Sequence, residues 1–157
     1  MQAKETLRPN AAVLFTIGYE KRSIEDYMRI LVGFRIGLLC DLRRNALSRK
    51  PGFSKSALRK ECERLSIVYE HWPELGIASE KRRNLKTSAD RDALFLEYER
   101  DWLPRQTEAL AKIEASIRQG QRVALTCFER DPRQCHRRRV AELLEKRLGK
   151  GSVASHL

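Results

Sequence analysis

Long apolar runs, closely paired cysteines and aromatic residues are all scarce in this chain. No apolar run approaches the roughly 20 residues a membrane span needs, so no membrane segment is expected. The four cysteines, at positions 40, 62, 127 and 135, contain no CxxC pair, which argues against a zinc ribbon. Aromatics make up 7% and rarely alternate with basic residues, so base stacking along a single strand is poorly supported. No internal repeat or low-complexity segment is present. The first ten residues have mixed charge and no signal-peptide pattern. The cysteines are therefore expected as reduced thiols, and the chain as cytoplasmic.

Positive charge is plentiful. Lys and Arg number 32 against 21 Asp and Glu, a formal charge of +11 over 157 residues. Such a balance points to an anionic partner, a nucleotide or nucleic acid, or else to solvated basic helix faces. The length suits one domain, expected over residues 11–157 behind a flexible tail at residues 1–10.

Short apolar runs alternate with helical patterns. Residues 13–17, 36–42, 67–72 and 122–128 read as buried strands, and residues 152–157 could begin a fifth. Ser23 and Ser54 are placed to cap helices, and Gly120 to end one. Residues 74–92 form a long polar connection carrying Lys81, Arg82 and Arg83. Asp131 is expected to cap the last helix, with Pro132 at its first position. The alternation predicts an α/β three-layer sandwich, a mostly parallel sheet of four to five strands with helices on both faces. Strand order 3-2-1-4-5 is the simplest arrangement.

In such sheets ligands bind beyond the carboxyl ends of the strands. The chemistry-bearing residues gather there: Gly18 and Tyr19, then Asp41 and Arg43, then Cys127, Glu129, Cys135, His136 and Arg137. Cys135, read at a helix start near Arg133 and Arg137, is the candidate nucleophile or redox-sensitive thiol; the alternative is a packing thiol. Cys127 reads first as a core thiol. Five residues separate Cys127 from Arg133, as in a phosphatase loop, but Phe128, Glu129 and Asp131 bring bulk and negative charge where a phosphate cradle needs small residues. Glu129 and Asp41, expected about 10 Å apart across two strand spacings, could act as general acid and base; either could equally be neutralised by an arginine. Arg43, Arg49, Lys50 and Arg137 are candidate anion-binding groups. His136 falls on an apolar stripe and reads as a core histidine before a catalyst. Joint ligation of a metal by Cys135 and His136 is disfavoured, because neighbouring side chains on a helix diverge by about 100°. No metal is expected, and the residues leave the cofactor open.

Several motifs occur in a fixed order: Thr16-Ile17-Gly18, Asp41-Leu42-Arg43, Ser48-Arg49-Lys50-Pro51-Gly52-Phe53, Pro73-Glu74-Leu75-Gly76, and the run from Cys127 to Arg137. Together they resemble the family catalogued as domain of unknown function 488. Position 128, often alanine in that pattern, is Phe128 here, and position 19, often histidine, is Tyr19. The resemblance implies an α/β fold with these motifs in one cluster, and implies no particular reaction. Three readings follow: an enzyme-like site for a phosphate-bearing ligand, a non-catalytic nucleic-acid binder, or a thiol-based regulatory module.

Overall fold

The computed structural model describes residues 13–157; the expected tail at residues 1–10 lies outside the described residues. Five parallel strands form one sheet: β1 Leu14–Gly18, β2 Leu38–Asp41, β3 Val68–His71, β4 Val123–Cys127 and β5 Ser155–His156. Helices α1 Ile24–Gly33 and α2 Lys55–Arg64 cover one face. The other carries α4 Ser88–Glu97, α5 Thr107–Arg118 and α6 Arg137–Leu148, with the short α3 Ser79–Arg82 preceding them in the chain. This is the expected α/β sandwich.

Alternation along the strands divides the core. Phe15, Ile17, Leu39 and Ala124 pack with Tyr27, Leu31, Phe53 and Leu58. Leu14, Leu38, Cys40, Val123 and Leu125 pack with Leu110, Ile113, Val140 and Leu144. Side chains one apart on a strand point to opposite faces, so both faces must be apolar in a sheet covered twice. Local signals behave as their chemistry dictates. The Ser23 and Ser54 hydroxyls accept from the amides of Asp26 and Ala57, and Gly120 ends α5 at φ +87°.

The strand order is 3-2-4-1-5, not 3-2-1-4-5. β4 inserts between β1 and β2, pairing Leu38 through Asp41 with Val123 through Thr126 on one side and β1 on the other. β1, β2 and β4 are all fully buried and mostly apolar, so no edge signal separates a central strand from its neighbour. The first crossover skips one position, and β4 later fills it. The correction matters for the site: the ends of β2 and β4 are one strand spacing apart, about 4.8 Å, rather than two.

Two further expectations change. The connection at residues 74–92 is structured, with α3 and a capping box of Thr87 and Asp90 opening α4. Asp131 caps only a 3₁₀ turn, Pro132–Gln134; Cys135 is then extended, and α6 starts at Arg137.

Candidate functional site

The carboxyl ends of β1, β2 and β4 meet at one edge of the sheet. Gly18 ends β1 where a Cβ atom would lie 1.9 Å from the Glu129 carbonyl oxygen. Only glycine lets the two loops cross this closely. The Tyr19 and Glu20 amides then donate to the carbonyls of Cys127 and Phe128, fixing one loop on the other.

At the end of β2, Asp41 is completely buried. Arg43 grips it with both a side-chain fork and its backbone: Nε and the amide reach Oδ1 at 2.8 and 3.2 Å, and Nη2 reaches Oδ2 at 2.6 Å. The Tyr69 hydroxyl donates to the same Oδ2 at 2.5 Å. Burial and the Asp41 charge raise the Tyr69 pKa, keeping this hydroxyl a donor. Arg43 Nη1 reaches the Phe53 carbonyl and the Tyr19 hydroxyl. Tyr19 itself stacks on Phe53 at 4.5 Å. Asp41 thus sits as an internal anchor, away from solvent.

The end of β4 is built differently. Arg137 is fully buried, and its guanidinium donates to the carbonyls of Glu129 and Arg130 and to Cys127 Sγ. None of these acceptors is a carboxylate, and Nε is buried without a hydrogen-bond partner among the described residues. Burial pulls the Arg137 pKa down to about 10, still cationic at neutral pH. Glu129 turns outward, with an oxygen 3.8 Å from Arg82. His136 is buried; its Nε2 lies 3.2 Å from the Leu42 carbonyl, and burial lowers its pKa to about 4, leaving the ring neutral.

Cys127 and Cys135 are joined by a disulfide, with Cα atoms 7.6 Å apart. The expectation of reduced thiols fails for this pair, while Cys40 and Cys62 are free and buried. Cys135 is buried, and lies just ahead of the first turn of α6 rather than within it. Its sulfur accepts from the Arg137 amide, and Arg133 is turned away onto Asp131. A pair eight residues apart can close because β4 and the extended Cys135 run past each other; a continuous helix would have carried Cys135 elsewhere.

Outside this framework lie two adjoining cavities, of 440 and 380 Å³. Each falls in the size range of ligand pockets, about 300–1,000 Å³. They share Ser79, Arg82, Glu129 and His136, so the Arg82–Glu129 pair stands at their boundary. Arg83 and Arg91 line the larger cavity, Arg43 and Arg44 the smaller. Among the described residues, Glu129 is the one acidic group lining either.

Glu129, Tyr19, Cys127, His136 and Arg43 therefore converge on one cleft. Arg49 is exposed elsewhere on its loop, and Lys50 Nζ is held by the Tyr19 carbonyl. The cleft's outer cations, Arg44, Arg82, Arg83 and Arg91, are not among the site residues expected from sequence. The signal for Arg82, Arg83 and Arg91 is the basic cluster in the long connection, which α3 and α4 fold back over the sheet edge; Arg44 belongs to the basic loop after β2.

The model of the family described as domain of unknown function DUF488 matches residues 23–144, more than half of the chain. The chain is a DUF488 protein. No curated protein and no solved structure matches it. The matched span includes the residues that build the β2 and β4 ends, from Asp41 and Arg43 to the run Cys127 through Arg137. Among the described residues, no helix of this DUF488 chain is long and apolar enough to cross a membrane.

Proposed function

We propose that the cleft binds a phosphate-bearing anion, a nucleotide or a segment of nucleic acid, and presents Glu129 to it as a proton-transfer group. One observation carries the reading: Arg44, Arg82, Arg83 and Arg91 line two connected cavities that hold, among the described residues, a single carboxylate. Guanidinium groups match phosphate oxygens in a planar fork, and a concave, partly desolvated setting strengthens that attraction. Of the three residues expected to carry chemistry, Glu129 alone faces the cleft. Asp41 is locked onto Arg43, and Cys135 is locked onto Cys127.

The test is binding of nucleoside mono-, di- and triphosphates and of a short oligonucleotide, at several salt concentrations. Affinity should fall with salt, by about one logarithmic slope unit for each duplex phosphate the protein neutralises, and by less for a single strand. Arg82→Ala and Arg83→Ala should each weaken binding about tenfold, near 1.4 kcal/mol. Salt-independent binding, or binding untouched by both substitutions, sinks the proposal. Hydrolysis or transfer of the bound ligand that Glu129→Gln abolishes separates an enzyme from a pure binder.

The Cys127–Cys135 bond favours a second reading, in which the redox state of this pair regulates the cleft, since Cys127 lines the smaller cavity. Oxidised and reduced protein would then bind the same ligand with different affinity. Superimposable binding curves end this reading.

A further inference from the structure

With its disulfide reduced, we propose, the chain holds one thiophilic divalent cation of the zinc class on Cys127 Sγ, Cys135 Sγ and His136 Nδ1, leaving a fourth position towards the cleft. The three donor atoms lie within 4.8 Å of one another. A tetrahedral zinc ion with bonds of about 2.0–2.3 Å places its ligand atoms roughly 3.3–3.8 Å apart. Cys135 Sγ and His136 Nδ1 already stand 3.8 Å apart. The 7.6 Å between the two cysteine Cα atoms exceeds the roughly 4.4–6.8 Å usual for a disulfide, and leaves the sulfurs room to separate around an ion.

The obstacle seen in sequence is removed by the fold. Consecutive residues on a helix aim their side chains about 100° apart. Cys135 is not helical: at φ −133° and ψ 142° it is extended, and α6 begins only after His136. In this non-helical setting the Cys135 sulfur and the His136 Nδ1 come within 3.8 Å of each other.

The surrounding hydrogen bonds suit metal ligands. A carbonyl can only accept, so the bond to Leu42 O fixes the proton on His136 Nε2. The lone pair of the neutral ring is then on Nδ1, facing the sulfurs. Metal-bound histidines commonly hold their second nitrogen this way. Each sulfur also receives an N–H: Cys127 from Arg137 Nη1 at 3.3 Å, Cys135 from the Arg137 amide at 3.5 Å. Such donors stabilise thiolates. Two thiolates and a neutral imidazole cancel the charge of a divalent ion, so the ion adds no net charge beside the buried Arg137. Access runs through the smaller cavity, which Cys127 and His136 line. Glu129, which lines that cavity, has Oε2 3.6 Å from Cys127 Sγ.

The chemistry balances. Reduction breaks the S–S bond and requires two electrons and two protons. A dithiol supplies both and becomes a disulfide itself. Binding the cation then releases the two thiol protons to solvent.

The test is titration of cobalt(II), without any phosphate ligand, into protein held reduced by a non-chelating phosphine. That reductant passes two electrons to the disulfide and takes oxygen from water, whose protons go to sulfur. One cobalt per chain is expected, with thiolate-to-metal charge-transfer absorption, tetrahedral d–d bands and displacement by zinc. Cys127→Ser and His136→Gln should each weaken binding by at least the roughly 10–100-fold that losing an outer-shell partner costs. Cys62→Ala should leave it unchanged. Oxidised wild type serves as a folded control with its sulfurs blocked, and should show no such spectrum. Absence of the charge-transfer band in reduced wild type overturns the proposal. So does the same band in oxidised protein, or undiminished cobalt affinity in Cys127→Ser. None of these readings depends on the anion-binding function.

Discussion

The ends of β2 and β4 are adjacent and use similar residues, yet one is closed and the other open. At β2, Asp41 and Arg43 answer each other: both carboxylate oxygens are bonded, and the guanidinium's Nη1 donates internally to the Phe53 carbonyl and the Tyr19 hydroxyl. At β4, Arg137 is buried against carbonyls and sulfur, while the nearby carboxylate, Glu129, faces the cleft and Arg82. A buried ion pair holds its neighbourhood still. A buried cation hydrogen-bonded to carbonyls rather than to a carboxylate leaves positive potential at the sheet edge. The first arginine thus builds the site's wall, while the second electrostatically conditions the site itself.

Breaking the closed end should have the largest effect. Asp41→Asn leaves Arg43 buried against a neutral group and should cost about 3–5 kcal/mol, seen as a lower urea midpoint. If stability is unchanged, the closed-end account is wrong. At the open end, Arg137→Lys keeps the charge but cannot reproduce the fork to two carbonyls and a sulfur. A loss of about 2 kcal/mol is expected in urea unfolding, smaller than for Asp41→Asn. An equal or larger loss would erase the distinction between the ends.

Cys62 sharpens the contrast through pH. It lies in the core beside the closed end, and burial, then the charges of Asp41, Glu61 and Glu63, push its thiol up to about 12 from an ordinary 9.0. A folded pKa above the unfolded one means stability is fully present below the ordinary thiol pKa and lost as pH rises towards the folded one. The loss should reach about 1.4 kcal/mol by about pH 10 and be missing from Cys62→Ala. Native Cys62 should also resist alkylation at about pH 9, while reduced Cys127, bordering the cavity, reacts.

The smallest effect belongs to Glu129. Among the described residues its one ion pair is long, 3.8 Å, to an Arg82 side chain that is 39% exposed. Glu129→Gln should change stability by less than about 1 kcal/mol while altering what the cleft does to its ligand. A loss as large as that of Asp41→Asn would mean Glu129 is structural too.

Much of this was legible in the residues. Apolar runs at 13–17, 36–42 and 122–128 marked the strands, and polar residues at their carboxyl ends marked the edge of the candidate site, because a doubly covered sheet must be apolar along most of its length. Ser23, Ser54 and Gly120 marked helix ends through bonds or torsions made within a few residues. Arg43 and Arg137 stood out too, but as ligand-binding groups. In the chain they look like any arginine; only burial separates a wall from a free cation.

The α/β alternation, the cluster at one sheet edge and membership in DUF488 follow from the residues alone, because each rests on local pattern or motif order. Three features needed the folded chain. β4 entered between β1 and β2 because strands equally apolar on both faces carry no label of position, and only packing of the whole sheet selects their neighbours. Cys135 left the helix and met Cys127 because the Asp131 turn ends after three residues. Arg82, Arg83 and Arg91 became the cleft's cations because helices α3 and α4 fold over an edge that lies far from them in sequence.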